Sequence, residues 1–169
     1  MGQHRLSRVQ LVNWGTFDGA RSFAVPRRGL LLTGPSGAGK SSILDAMAAL
    51  MVRPAKLKFN AAAQGTETGD RERNLVTYIL GAYKRETDEA TGEVGTAFLR
   101  KGPNWSGVAL TFDDGHGTRT TLIRLFHLRA GSTNPADVRS MFIMAPEAVE
   151  LLSLQSYAKD GIENRRVQQ

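Results

Sequence analysis

One eight-residue stretch, Gly34-Pro35-Ser36-Gly37-Ala38-Gly39-Lys40-Ser41, constrains this chain more than any other. An apolar run, Gly29-Leu30-Leu31-Leu32-Thr33, precedes it, and a helix-forming run, Ser42-Ile43-Leu44-Asp45-Ala46-Met47, follows. Strand, glycine loop and helix in that order give the G-x-x-x-x-G-K-[ST] spacing a mechanism: the loop delivers backbone N–H groups and a helix N-terminus to a single point. Without a Cβ, Gly34 and Gly39 let the backbone take positive φ and curl its N–H groups around a phosphate. Lys40 carries a compact ammonium toward the β- and γ-phosphates, the Ser41 hydroxyl is the expected Mg²⁺ ligand, and Ser42 can donate to the α-phosphate. The positive end of the helix dipole favours an anion at the same place. Pro35, Ser36, Gly37 and Ala38 complete the cradle, so residues Gly34 to Ser42 are expected to hold a nucleoside triphosphate with Mg²⁺. A backbone cradle reads phosphate and is blind to the base.

The flanking sequence predicts an α/β chain. Arg5 to Trp14 reads as a strand, Gly15 to Ala20 as a turn and Arg21 to Pro26 as a returning strand, so an antiparallel hairpin precedes the loop. After the loop, Ile43, Leu44, Ala46, Met47, Leu50 and Met51 predict one buried helical stripe ending near Val52, with Pro54 closing it. A polar stretch from Lys56 to Asp70 leads to a helix expected over Asn74 to Tyr83. Gly95 to Arg100, Gly107 to Phe112 and Arg119 to Leu128 read as antiparallel strands, and Pro146 to Leu152 as the opening of a helix with proline in its first turn.

Val108-Ala109-Leu110-Thr111-Phe112-Asp113-Asp114 imitates a Walker B strand, in which an apolar run ends on an aspartate for Mg²⁺ and an acid that polarises water. Asp-Asp-Gly before a second strand is also a hairpin-turn signature, and Thr111 interrupts the continuous apolar run of a buried parallel strand. Both features predict a hairpin; the Walker B alternative would complete an ATPase, or a compact P-loop kinase, within the chain.

At 169 residues and 41% apolar content, the chain suits a single domain over 1–169. No apolar run has the length of a membrane span and no signal-peptide core opens the chain, so a cytoplasmic location without membrane partners is expected. The absence of cysteine excludes disulfides, thiolate metal sites and cysteine nucleophiles. His4, His116 and His127 have no ligand spacing. A net charge of +6 suits a polyanion such as DNA, although the basic residues are spread along the chain as on an ordinary solvated surface.

Leu11-Val12-Asn13-Trp14-Gly15-Thr16-Phe17, followed by Leu31 to Ala46 with its Asp45-Ala46 pair, resembles the start of SMC-like, RecF-like and SbcC-like ATPases. The Asn13-Trp14 pair, with the Phe59-Asn60 and Arg73-to-Arg85 stretches, is most similar to the MukB, MksB and JetC (Wadjet) branch. The resemblance implies the N-terminal lobe of an ABC/SMC-type head with an antiparallel subsheet. It implies ATP as the nucleotide and Mg²⁺ beside it. It also implies a C-terminal half carrying the signature and Walker B, a second head, kleisin-type subunits and DNA as partners, and a nucleoid-associated location in a bacterium. Asn13, Arg71, Arg73 and Gln155 enter as further site candidates: the arginines from a loop near nucleotide or DNA, and Gln155 from a Q-loop position. Since no Leu-Ser-Gly-Gly signature occurs, binding of ATP without efficient turnover is expected of the chain alone. The other readings are a RecF- or SbcC-like repair ATPase head, a non-catalytic nucleotide-binding module and the small kinase.

Overall fold

The computed structural model describes residues 3–59, 74–87, 94–101 and 104–162. Its framework is a five-stranded sheet built from β1 (Arg5–Trp14), β2 (Phe17–Ala24), β5 (Asn104–Asp113), β6 (Arg119–Leu128) and β7 (Val138–Ala145), in the order β2-β1-β5-β6-β7. Every neighbouring pair runs antiparallel. A two-stranded sheet, β3 (Ala82–Thr87) with β4 (Val94–Phe98), stands apart from it. Two helices, α1 (Lys40–Met51) and α2 (Leu75–Leu80), lie on one face of the large sheet.

Alternation along the strands divides the core in two. Val9, Leu11, Val108, Leu110, Phe126 and Leu128 face α1 and α2 and pack with Ile43, Ala46, Leu50 and Ile79. Val12, Ala109, Ile123 and Leu125 face the other way and pack beneath Leu151 and Ala158, in and beside a 3₁₀ element at Leu151–Tyr157. With both faces covered, the central strand β5 is buried along most of its length, and its polar side chains are satisfied in place. Ser106 Oγ donates to the Val12 carbonyl at 3.0 Å, and Thr111 Oγ1 lies 3.1 Å from Thr121 Oγ1. Buried Gln10 holds the C-terminal segment down, donating to the Val149 carbonyl at 2.7 Å and accepting from the Leu151 N–H at 3.1 Å.

Several boundaries differ from the sequence reading. The first hairpin turns on Gly15-Thr16 alone, with Trp14 opposite Phe17. The helix expected to Tyr83 ends at Leu80, because Gly81 takes a left-handed C-cap at φ 70°. A Cβ on Gly81 would come within 2.6 Å of the Gly15 carbonyl oxygen. At its other end Asn74 caps the helix: its side chain accepts from the Thr77 N–H at 3.1 Å while Thr77 Oγ1 accepts from the Asn74 N–H. The helix expected from Pro146 is replaced by the later 3₁₀ element. β7 was not anticipated at all.

The largest correction concerns the run before the loop. Gly29 to Thr33 has no ladder partner among the described residues, and Leu31 is 84% and Leu30 44% exposed, while Leu32 packs against the core. Every strand of the large sheet is already paired antiparallel to its neighbours, which leaves this segment outside it. The α1 stripe also differs: Ile43, Ala46, Ala49 and Leu50 are buried, whereas Leu44 (52%) and Met51 (58%) are exposed, one above the other seven residues apart. The single carboxylate of this helix, Asp45, is buried instead.

Candidate nucleotide-binding site

The loop meets the geometric demands of an anion cradle. Gly34, Gly37 and Gly39 all have positive φ (149°, 82° and 88°), and Gly39 is the N-cap of α1, so the chain folds back before a twelve-residue helix begins. Lys40 Nζ donates to the carbonyls of Gly34 (2.6 Å) and Pro35 (2.7 Å), which places the ammonium across the mouth of the loop. The Ala38 N–H closes a turn on the Pro35 carbonyl at 3.3 Å, and the Ile43 N–H starts the helix ladder on Gly39 at 3.2 Å. Ser36 is exposed, while Ser41 and Ser42 are half-buried in the first helical turn. Backbone N–H groups, one ammonium and two hydroxyls at a helix N-terminus are the donor set a triphosphate with magnesium requires.

The first hairpin holds this loop, through residues that motif spacing alone does not reveal. Phe17 lies over Gly39 so closely that a Cβ there would sit 2.7 Å from the ring. Trp14 is fully buried, stacks on Tyr78 at 4.6 Å between centroids, and donates from Nε1 to the Ser42 carbonyl at 2.9 Å. The Tyr78 hydroxyl donates to Asp45, one turn further along α1. Behind them Arg100 donates to the carbonyls of Gly15 (2.7 Å), Tyr78 (3.1 Å) and Ile79 (2.7 Å), with Asp18 at 3.4 Å. Burial is the main influence on this guanidinium and lowers its pKa; the Asp18 carboxylate opposes that shift.

The remaining sequence candidates fall elsewhere. Asn13, at φ 50°, lies opposite the extra residue of a β-bulge in β2, donates to the Trp105 carbonyl at 3.1 Å and accepts from the Gly19 N–H at 3.0 Å, so its amide is engaged by its own hairpin and by β5. Gln155 is an exposed residue of the 3₁₀ element, on the sheet face opposite α1. Arg71 and Arg73 lie outside the described residues. Asp113 and Asp114 form the β5–β6 hairpin turn, as the turn signature indicates. Asp113 accepts from the Gly115 N–H (2.6 Å) and from Arg119 Nε (3.0 Å), while Asp114 accepts from the N–H groups of His116 (2.8 Å) and Thr118 (3.0 Å). These turn amides chiefly hold both carboxyls below their ordinary range. The pair sits beside Arg5, at the opposite end of β1 from Trp14. At about 3.3 Å per residue that separation is roughly 30 Å, so the pair is held in a turn remote from the end of β1 that meets the glycine loop.

Among the described residues no group of three or more His, Cys, Asp or Glu side chains is placed to hold a metal ion, and no helix is long and apolar enough to cross a membrane. No curated protein matches the chain. Residues 6–66 match the family described as the P-loop containing region of an AAA domain, a span that takes in the hairpin, the glycine loop and α1. The geometry and the match agree on a P-loop nucleotide-binding region of AAA type, set in a mixed α/β chain whose sheet is mostly antiparallel.

Proposed function

We propose that this chain is the ATP-binding half of an SMC-like ATPase that acts on DNA. One observation carries the reading: beyond its first turn α1 bears apolar residues on its exposed side as well as on its buried side. Its buried residues meet the antiparallel sheet, while Leu44 and Met51, and in the segment before the loop Leu30 and Leu31, are apolar side chains that this sheet leaves exposed. A helix with apolar residues on two opposite sides fits between two layers, and the described residues supply one. The second layer is a partner half that pairs with the Gly29–Thr33 segment and brings the catalytic acid, since both aspartates of the Walker B look-alike are committed to a turn. The net charge of +6 and the sequence resemblance described above support DNA as the polyanion.

In this reading ATP supplies the phosphoanhydride bond and Mg²⁺ its counter-charge. Lys40, Ser41 and the loop N–H groups are the residues that would hold them: the ammonium and the N–H groups would donate to phosphate oxygens, and the Ser41 hydroxyl would be available to the metal. The test is binding of MgATP by equilibrium dialysis, with Lys40→Ala as the comparison. Loss of affinity in a variant that keeps the native circular-dichroism spectrum is expected; equal affinity would remove the phosphate-loop argument. Hydrolysis by the chain alone should stay near background, and Leu31→Glu should suppress self-association at high concentration. Turnover abolished by Asp114→Asn would overturn the split-site reading.

A further inference from the structure

We infer that Trp14 is a positioning residue for the phosphate loop, aimed at it by the left-handed backbone at Asn13; the inference rests on the nucleotide-binding reading above. In an unbroken β1 the side chains of Val9 and Leu11 would share a face with residue 13, and residue 14 would point to the opposite side with Val12. At Asn13 the backbone enters the left-handed region (φ 50°), opposite a register shift whose extra residue lies in β2, and the alternation of β1 is reversed. Trp14 therefore joins Val9 and Leu11 on the α1 face, whereas Val12 packs on the other. Asn13 suits this position because asparagine tolerates the left-handed region, and both ends of its amide are bonded there.

The re-aimed indole grips α1 at the turn that carries Ser41 and Ser42. Its N–H reaches the Ser42 carbonyl, while its ring stacks on Tyr78, whose hydroxyl reaches Asp45 three residues further on. Ser42 and Asp45 lie on one face of the helix, so the two bonds oppose both rotation about the helix axis and sliding along it. Rotation of that turn would swing the Ser41 hydroxyl, the magnesium contact of the proposed site, away from the ligand. The indole N–H thus fixes the phase of the helix with respect to the loop, and its loss should act mainly on the magnesium-dependent part of nucleotide affinity.

The test uses the full chain with Trp105→Phe as background. Trp14→Phe keeps a ring against Tyr78 and deletes the N–H; benzothienylalanine at position 14 keeps the indole shape and deletes the same donor, and serves if the phenylalanine variant does not fold. Affinity for ATP is measured with Mg²⁺ and with EDTA, and amide exchange is followed at Ile43 and Ala46. The expected result is about a tenfold loss of affinity with Mg²⁺, the scale of one buried hydrogen bond, a much smaller loss in EDTA, and faster exchange at those two amides with β5 and β6 unchanged. Unchanged exchange, or equal losses with and without Mg²⁺, would overturn the positioning role. A background protein that binds no nucleotide, while the variant still loosens Ile43 and Ala46, would overturn the nucleotide reading alone.

Discussion

Arg100→Met isolates the joint between the first hairpin and α2. The guanidinium side chain is 9% exposed and donates to three carbonyls, of which that of Tyr78 also accepts the Gly15 N–H at 2.7 Å. Methionine preserves much of the apolar stem, so the change leaves the Gly15 and Ile79 carbonyls without this donor. A hydrogen bond to a charged donor contributes about 1.5–3 kcal/mol, which gives about 3–6 kcal/mol for two, and water entering the vacated space brings the estimate toward the lower figure, about 3 kcal/mol. For a domain of this size that corresponds to a melting point roughly 6–12 °C lower by calorimetry. The ion pair with Asp18 adds little, because the aspartate is 73% exposed and the separation is 3.4 Å. Asp18→Asn should therefore melt close to the parent protein. Arg100→Lys should recover less than half of the loss, since one ammonium cannot match a planar fork aimed at several carbonyls. A melting point for Arg100→Met within about 2 °C of the parent, or an Asp18→Asn effect as large, would refute the carbonyl-clamp argument.

Gly39→Ala should abolish MgATP binding in dialysis, because it combines the Phe17 clash with a left-handed backbone; Phe17→Ala in the same chain should relieve the clash and leave about 1 kcal/mol of backbone strain. Glu150 should make stability acid-sensitive. The hydrogen bond from Arg8 holds its pKa below the ordinary 4.5, so its contribution is full above that value and is lost as the pH falls through the lowered one. Glu150→Gln should reduce the acid-dependent part of the denaturant midpoint below pH 4.5, and an unchanged pH profile would show that the pair contributes nothing.

Legibility in the sequence followed the range of the interactions. The loop glycines, Lys40, the β1 boundaries and the Asp113–Gly117 turn are local signals, and the structure places them where the spacing puts them. β7 was missed because its cluster of Met141, Phe142, Ile143 and Met144 does not alternate apolar with polar; its pairing with β6 decides its conformation. Leu44 and Met51 were assigned to the core because periodicity reports which residues are apolar, and it does not report which layers are present to cover them. In the sequence Trp14 stands beside Asn13 within the segment that carries the family resemblance. Its direction depends on the left-handed backbone at Asn13, which strand periodicity cannot anticipate, and Arg100 acts through carbonyls brought together from two distant segments.

The pairing of β1 with β5 joins Arg5 to Asp113 and Val12 to Gly107. During synthesis the complete glycine loop leaves the ribosome long before β5 exists, with Trp14 and α1 made but without the sheet that anchors them. Contacts this distant in sequence close late and slowly. The phosphate loop, early in the chain, is therefore among the last features to become competent, and nascent chains ending before Leu128 should carry the full motif yet fail to retain nucleotide.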